Sequence, residues 1–270
     1  MRPERALEGS ADGGTEGARS IRRAILVLRL LAAGQERGVR LIDLVAGSGL
    51  PRPTVHRILR VLLEEGAVEQ DRATRRYMIG PEASLLGLAR KALFPIRSIA
   101  DPALEHLRRQ VGDTVFLTIR SGLDSVCVDR RVGSYPLQVL ALEIGARRPL
   151  GIGVSGVAML SSLPEAAAAA VVESNAARFA THGLAPAQLH EQVRLARQRG
   201  HAYSAQGIIK GTRAVAVAVV DGAQLPVAAI SIAAVADRLS PARLAPTVAL
   251  LREQADAVSR RLIERARRRS

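Results

Sequence analysis

A single cysteine, Cys127, stands in the 270-residue chain, which excludes an internal disulfide framework and any cysteine zinc cluster. Its place inside an apolar strand pattern makes a buried, inert thiol the expectation. Long apolar runs are missing too. None approaches the 18 residues a membrane span needs, and residues 1–19 are rich in Gly, Glu and Arg with no hydrophobic segment of a secretory signal. A cytoplasmic protein without a membrane partner is expected. His106, His182, His190 and His201 are scattered with no H-x-x-H or H-E-x-x-H spacing, so they suggest no metal site, and no cofactor is expected. Lysine is nearly absent, Lys91 and Lys210 being the only two, so arginine supplies almost all the positive charge. No internal repeat occurs. What remains, 48% hydrophobic and 24% charged residues over this length, is an ordinary globular composition with room for two domains.

The net charge of +14 favours an anionic partner, but the arginines are spread along the chain, so a local motif has to carry the argument. Residues 41–77 supply it. Leu41, Leu44 and Val45 form the one-sided pattern of a short helix, and Gly47-Ser48-Gly49 is a flexible turn. Pro51 and Pro53 then mark a helix start, because proline fits a first turn where its missing N–H is not needed. From there Val55, Ile58, Leu59 and Leu62 recur at i, i+3, i+4 and i+7, one buried stripe. Arg57 and Arg60 fall opposite that stripe, Thr54 and His56 flank it near the N-terminus, and Arg52 is placed for a phosphate. No acid occurs between residues 50 and 63. Gly66 ends the helix. Ala67–Gln70 and Arg75–Ile79 read as two short strands around a tip bearing Arg72, Arg75 and Arg76. Two helices, a turn and a basic hairpin together describe a winged DNA reader.

The stretch from Ser20 to Gly80 resembles the winged helix-turn-helix of the IclR family of bacterial transcriptional regulators, which reads GLP-[KR]-x-T-hydrophobic-HR-hydrophobic-L at this helix. Here it is Gly49-Leu50-Pro51-Arg52-Pro53-Thr54-Val55-His56-Arg57-Ile58-Leu59. Pro53 stands where the family commonly has serine and brings no hydroxyl for a phosphate. The resemblance runs on through Gly145-Ala146-Arg147-Arg148-Pro149-Leu150 to Gly156 and Ala158, and through Arg199-Gly200-His201-Ala202 to Gly211, covering about residues 20–265. It implies a double-stranded DNA operator as partner, self-association as a homodimer or homotetramer, and a C-terminal GAF-like domain that binds a small-molecule effector.

In order along the chain, residues 1–18 are expected as a disordered arm, 19–80 as the winged helix-turn-helix domain, 81–94 as a linker helix and 95–270 as the effector domain. Ser20 is a plausible N-cap for a support helix with Ile21, Ala24, Ile25, Leu28, Leu31 and Ala32 on one stripe. The linker helix carries Leu85, Leu88, Ala89 and Ala92 on one face, and the resemblance implies that it pairs subunits. Beyond Pro95 and Pro102, a helix with Leu104 and Leu107 runs to Gly112. Thr114–Ile119 and Val126–Val128 form a hairpin about Ser121–Asp124, and Leu137–Leu142 is expected as a further strand. Helices follow near 153–162, 164–173 and 186–198, then strands Ala214–Val220 and Val227–Ala233, then a last basic helix from Pro241 to Arg267. The whole reads as an α+β fold with a mostly antiparallel sheet.

Two motifs hint at chemistry. Gly151-Ile152-Gly153-Val154-Ser155-Gly156 spells G-x-G-x-x-G, but no strand and ribose-binding acid follow as a dinucleotide site requires. The same stretch approaches a nucleophile elbow, but Val157 stands where the last glycine belongs. The rival reading, a small-molecule-processing enzyme with this loop as an oxyanion cradle, lacks an ordered nucleophile, base and orienting group. By resemblance, the effector is held by Val154, Ser155, Ser204, Ala214, Ser231 and Ala233. The acidic run and cysteine often found in the family are replaced by Ser204-Ala205-Gln206-Gly207 and Ala214. A pocket so poor in polar groups is expected to prefer an aromatic or hydrophobic effector over small acids, whose buried charge would lack partners.

Overall fold

The computed structural model describes residues 13–34, 37–88 and 95–268, and the chain divides into two compact units, residues 1–93 and 94–270. In the first unit, α1 (Gly13–Gly34), α2 (Leu41–Ser48) and α3 (Arg52–Glu64) precede the strands β1 (Val68–Gln70) and β2 (Tyr77–Ile79) and the helix α4 (Pro81–Leu88). Val27 and Leu31 of α1, Leu44 of α2, Val55 and Leu59 of α3, Val68 and Tyr77 close one small core. Gly49 adopts φ +65°, the left-handed geometry that ends α2, and its N–H donates to the Val45 carbonyl at 3.1 Å. Gly47 lies inside α2, where an added Cβ would stand 3.2 Å from Leu30, so this glycine permits the close crossing of α1 and α2.

Two expectations change here. α1 begins at Gly13, so residues 13–18 of the expected arm are helical; extending a helix that the core has nucleated costs far less than starting one. Residues 1–12 lie outside the described residues. The buried side of α1 matches the expected stripe only in its second half: Leu31 is covered and Leu28 packs on the core, joined by Val27, whereas Ile21 and Ile25 stay exposed. α1 is apolar on more than one side, and its packing against α2 and β2 selects which side is covered. Of the expected linker-helix face, Leu85 is exposed on α4, while the side chain of Leu88 and residues Ala89 and Ala92 lie outside the described residues.

In the second unit, α5 (Pro95–Val111) runs unbroken through Pro102 into β3 (Thr114–Ser121) and β4 (Asp124–Arg131). Then come β5 (Arg147–Pro149), α6 (Gly153–Ser161), α7 (Glu165–Ala180), α8 (Pro186–Arg199), β6 (Ala202–Ser204), β7 (Thr212–Val220), β8 (Pro226–Val235) and α9 (Pro241–Arg267). The six strands make one antiparallel sheet in the order β5-β4-β3-β8-β7-β6. Because side chains alternate along a strand, each central strand writes two different faces. Val115 and Leu117, Val215, Val217 and Val219, and Ile230 and Ile232 point to one face and pack with Leu104, Leu107, Leu251 and Val258 of α5 and α9. The opposite face carries smaller residues, Thr118, Ala214, Ala216, Ala229, Ser231 and Ala233, toward α6 and a second core built on α6, α7 and α8.

Leu137–Leu142 does not form a strand. Val139 is buried, but the carbonyls of Ala141 and Leu142 accept from Arg148 at 3.3 Å and Arg130 at 3.2 Å, so guanidinium groups occupy acceptors that a partner strand would have used.

Leu107 is wholly buried at the α5–sheet contact. Leu107→Ala should lower the unfolding free energy of the second unit by about 2–5 kcal/mol in urea titration. A loss under about 1 kcal/mol would mean that the site collapses around the cavity and carries little of the core.

Candidate functional site

Burial of Val55 and Leu59 turns the opposite side of α3 to solvent. Arg52, His56, Arg57 and Arg60 are exposed there and, with Leu41 and Pro53, line one shallow open depression. Thr54 stands at the helix start, half-buried. Among the described residues no carboxylate lies within ion-pair distance of Arg52 or Arg57, and Arg60 is 3.6 Å from an exposed Glu64. Such an exposed i,i+4 pair is weak in water, so it is little obstacle to a phosphate.

The wing is held by its own tip. The Asp71 carboxylate accepts from the Thr74 N–H at 2.6 Å and the Thr74 hydroxyl at 2.9 Å, and these bonds hold the carboxyl below its usual range. Arg75 sits at φ +59°, a left-handed position that the Asp71–Arg76 and Arg75–Asp71 backbone bonds enforce. Arg72 and Arg75 are exposed. Arg76 differs from the expectation that it faces DNA: it is half-buried, and its guanidinium donates to the Gly38 carbonyl at 3.1 Å, tying the wing to the segment before α2. An isolated bridge between Val39 and Tyr77 reinforces the same junction.

The second unit holds a cavity of about 500 Å³ between α6 and the small-residue face of the sheet. Val154, Ser155, Ser204, Ala214, Ser231 and Ala233 all line it. Ser155 is buried and its hydroxyl donates to the Ser231 hydroxyl oxygen at 3.0 Å, while the Ser204 hydroxyl turns away to the carbonyl of Gln206. No side chain caps the start of α6 at Ile152, leaving first-turn amides directed outward from the helix end.

The glycine loop has a packing role. A Cβ at position 156 would stand 2.5 Å from the Gly151 nitrogen, so backbone touches backbone there, and one at 151 would stand 2.6 Å from the Leu189 side chain. Gly151 and Gly153 also take φ of +123° and +77°. Every strand pairing among the described residues is antiparallel, whereas a dinucleotide fingerprint belongs to a parallel βαβ unit.

Sequence reasoning singled out neither Thr118 nor Arg148 as a site residue, and both line the cavity. Thr118 is 3% exposed and its hydroxyl has no hydrogen-bond partner among the described residues. In the doublet Arg147-Arg148, alternation along β5 sends Arg147 to Asp124 at 2.9 Å and Arg148 to the cavity side. Among the described residues no Asp or Glu belongs to the lining. The signal was present in principle: a polar Thr two residues after Phe116 in an apolar strand, and two arginines that a strand must separate. Cys127 lines the same wall as a buried thiol, pushed up to about 12 by burial.

A winged helix with a basic exposed face, joined in one chain to a domain with a small-molecule cavity, defines a ligand-responsive DNA-binding regulator. Residues 20–72 match the IclR helix-turn-helix domain and residues 92–260 match the bacterial transcriptional regulator IclR C-terminal domain. The glycerol operon regulatory protein of Streptomyces coelicolor is 33% identical over 246 residues, covering 90% of this chain and 96% of that protein. The transcriptional repressor IclR of Escherichia coli is 26% identical over 249 residues, covering 91% and 90%. Among solved structures, an IclR family transcriptional regulator from Brucella abortus superposes with a TM-score of 0.70 at 23% identity, covering 94% of this chain and 96% of that one. The chain therefore belongs to the IclR family of bacterial transcriptional regulators. It is a DNA-binding regulator with a C-terminal effector domain. Among the described residues no helix is long and apolar enough to cross a membrane.

Arg57→Ala should weaken specific binding by about 1–3 kcal/mol relative to random DNA. Arg75→Ala should weaken all sequences alike and reduce the salt slope by about one unit. Arg76→Ala should act chiefly by loosening the wing. Equal losses on specific and random DNA for Arg57→Ala, in filter-binding titrations across salt, would contradict base reading by that residue.

Proposed function

We propose that this regulator works in the cytoplasm as a homodimer or a dimer of dimers, reading a pseudo-palindromic operator through α3 and the wing of each subunit. A small aromatic or hydrophobic molecule in the cavity modulates that binding, and no reaction is catalysed. The observation that carries the reading is the row Arg52, His56 and Arg57, exposed on α3 and free of acidic partners among the described residues. Arg72 and Arg75 extend the same cationic role to the wing. A single winged module contacts one half-site, so a two-fold partner is needed to span adjacent major grooves. Leu85 and Leu86 of α4 and Ile21 of α1, each more than half exposed at 57%, 66% and 66%, are the apolar surface that a second copy would cover.

The effector role rests on the cavity's volume, its apolar walls at Phe116, Val139, Val154 and Leu184, and its few convergent polar groups. Ser231 is the central side-chain partner, since its hydroxyl accepts from Ser155 and keeps its own proton to donate. Amides at the start of α6 offer further donors to a ligand oxygen.

Ser231→Trp should fill the cavity and abolish ligand response while operator binding persists. Thermal-shift and operator-release assays on aromatic alcohols, aromatic acids, glyoxylate-sized acids and glycerol measure this. A response that survives in Ser231→Trp would move the effector site elsewhere.

A further inference from the structure

The cavity wall formed by β3, β4 and β5 carries an imbalance of charge. Arg148 on β5 lies opposite Ser125 of β4, and Cys127, two residues along β4 on the same side, pairs with Thr118 of β3. All four line the cavity. No carboxylate within ion-pair distance serves Arg148 among the described residues; its one hydrogen bond runs to the Ala141 carbonyl at 3.3 Å. Its neighbour Arg147 and the wall's outward acid Asp124 are already paired, at 2.9 Å. Burial pulls the Arg148 guanidinium below its usual value, as expected for a cation short of counter-charge, yet an arginine remains protonated. On the same wall, with β4 between it and β5, the Thr118 hydroxyl, 3% exposed, has no partner among the described residues. An uncompensated cation and an orphaned buried hydroxyl are both costs in the empty domain, and one ligand group removes both.

We propose that Arg148, with Thr118, forms a monoanion subsite on the β3–β4–β5 wall, so that the effector is a carboxylate carried on an apolar body. This rests on the reading of the cavity as the effector site and reverses the expectation that a buried acid would lack partners there. The guanidinium fork matches a carboxylate in two parallel bonds. Phe116, Val139 and Leu142 flank the subsite with apolar surface for the rest of the molecule. One positive charge balances one negative charge, so a dianion would leave a buried charge unpaired and a neutral analogue would leave Arg148 unpaired. The polar pole at Ser155 and Ser231 is then free to receive a second oxygen of the ligand.

The test uses the full-length protein and matched probes: benzoate, 4-hydroxybenzoate, phenylacetate and hexanoate, their neutral amides, and the dianions phthalate and succinate. Calorimetry and thermal shift should find monoanions bound at least about tenfold more tightly than their amides and than the dianions. Arg148→Met should erase that preference, Arg148→Lys should keep part of it, and Thr118→Val should weaken the acids with little effect on melting. Ligand-free Arg148→Met should melt no lower than wild type. Amides bound as well as acids, no monoanion bound at all, or a melting temperature several degrees lower in Arg148→Met would each overturn the subsite; the last would make Arg148 a clamp for residues 137–143. Carboxylate binding that never alters operator affinity would instead sink the effector reading and leave the charge assignment standing.

Discussion

The second unit depends on the alternation of β7 and β8, which sends valine and isoleucine side chains to one face and small side chains to the other. A sheet with large residues on both faces would bury more apolar area but leave no room for a ligand. Here Val215, Val217, Ile230 and Ile232 secure the strands to α5 and α9. The methyl groups of Ala214 and Ala233 leave space unfilled before α6, and the hydroxymethyl of Ser231 meets that helix at the Ser155 hydroxyl. Stability and ligand capacity are thus assigned to opposite sides of the same residues' backbone, and a substitution on one side need not disturb the other.

In the first unit the equivalent division runs around α3. Its apolar side is spent on a seven-residue buried core, small enough that the wing must contribute Val68 and Tyr77 to complete it. The arginines divide in the same manner. Arg76 is consumed in joining the wing to the segment at Gly38, whereas Arg52, Arg57, Arg72 and Arg75 keep their donors for an outside acceptor. Similar residues in one short stretch therefore do opposite jobs, and only the conformation of the tip, with Arg75 left-handed, separates them.

Much of this was legible in the amino-acid order. The stripe of Val55 and Leu59, the turn at Gly49, the hairpin about Gly122 and the final helix from Pro241 all follow local rules of period and punctuation, and they stand where those rules put them. Long-range competition was not legible. Leu137–Leu142 has a strand's composition, but Arg130 and Arg148, carried on β4 and β5, take the Leu142 and Ala141 carbonyls. Ile21 and Ile25 share one stripe with Leu31, yet the packing of α1 covers Leu31 and Val27 and leaves both isoleucines exposed. The cavity wall was half visible: the alanines and serines were found by resemblance, while Thr118 and Arg148 left only a polar residue in an apolar strand and an arginine doublet, which do not say what partners they fail to meet.

The contact between Gly156 and Gly151 sets a gauge. Two helix-and-loop backbones touch with no side chain between them, and an added Cβ, 2.5 Å from the Gly151 nitrogen, would force them about an ångström apart to reach ordinary contact at 3.4 Å. Ser155 sits one residue before this point and holds Ser231 across the cavity with a bond of 3.0 Å, near the end of the useful range for two hydroxyls. The missing side chain at position 156 is thus a spacer of zero length. It sets how closely α6 folds back on the loop that precedes it, and Gly156 does so without itself lining the cavity.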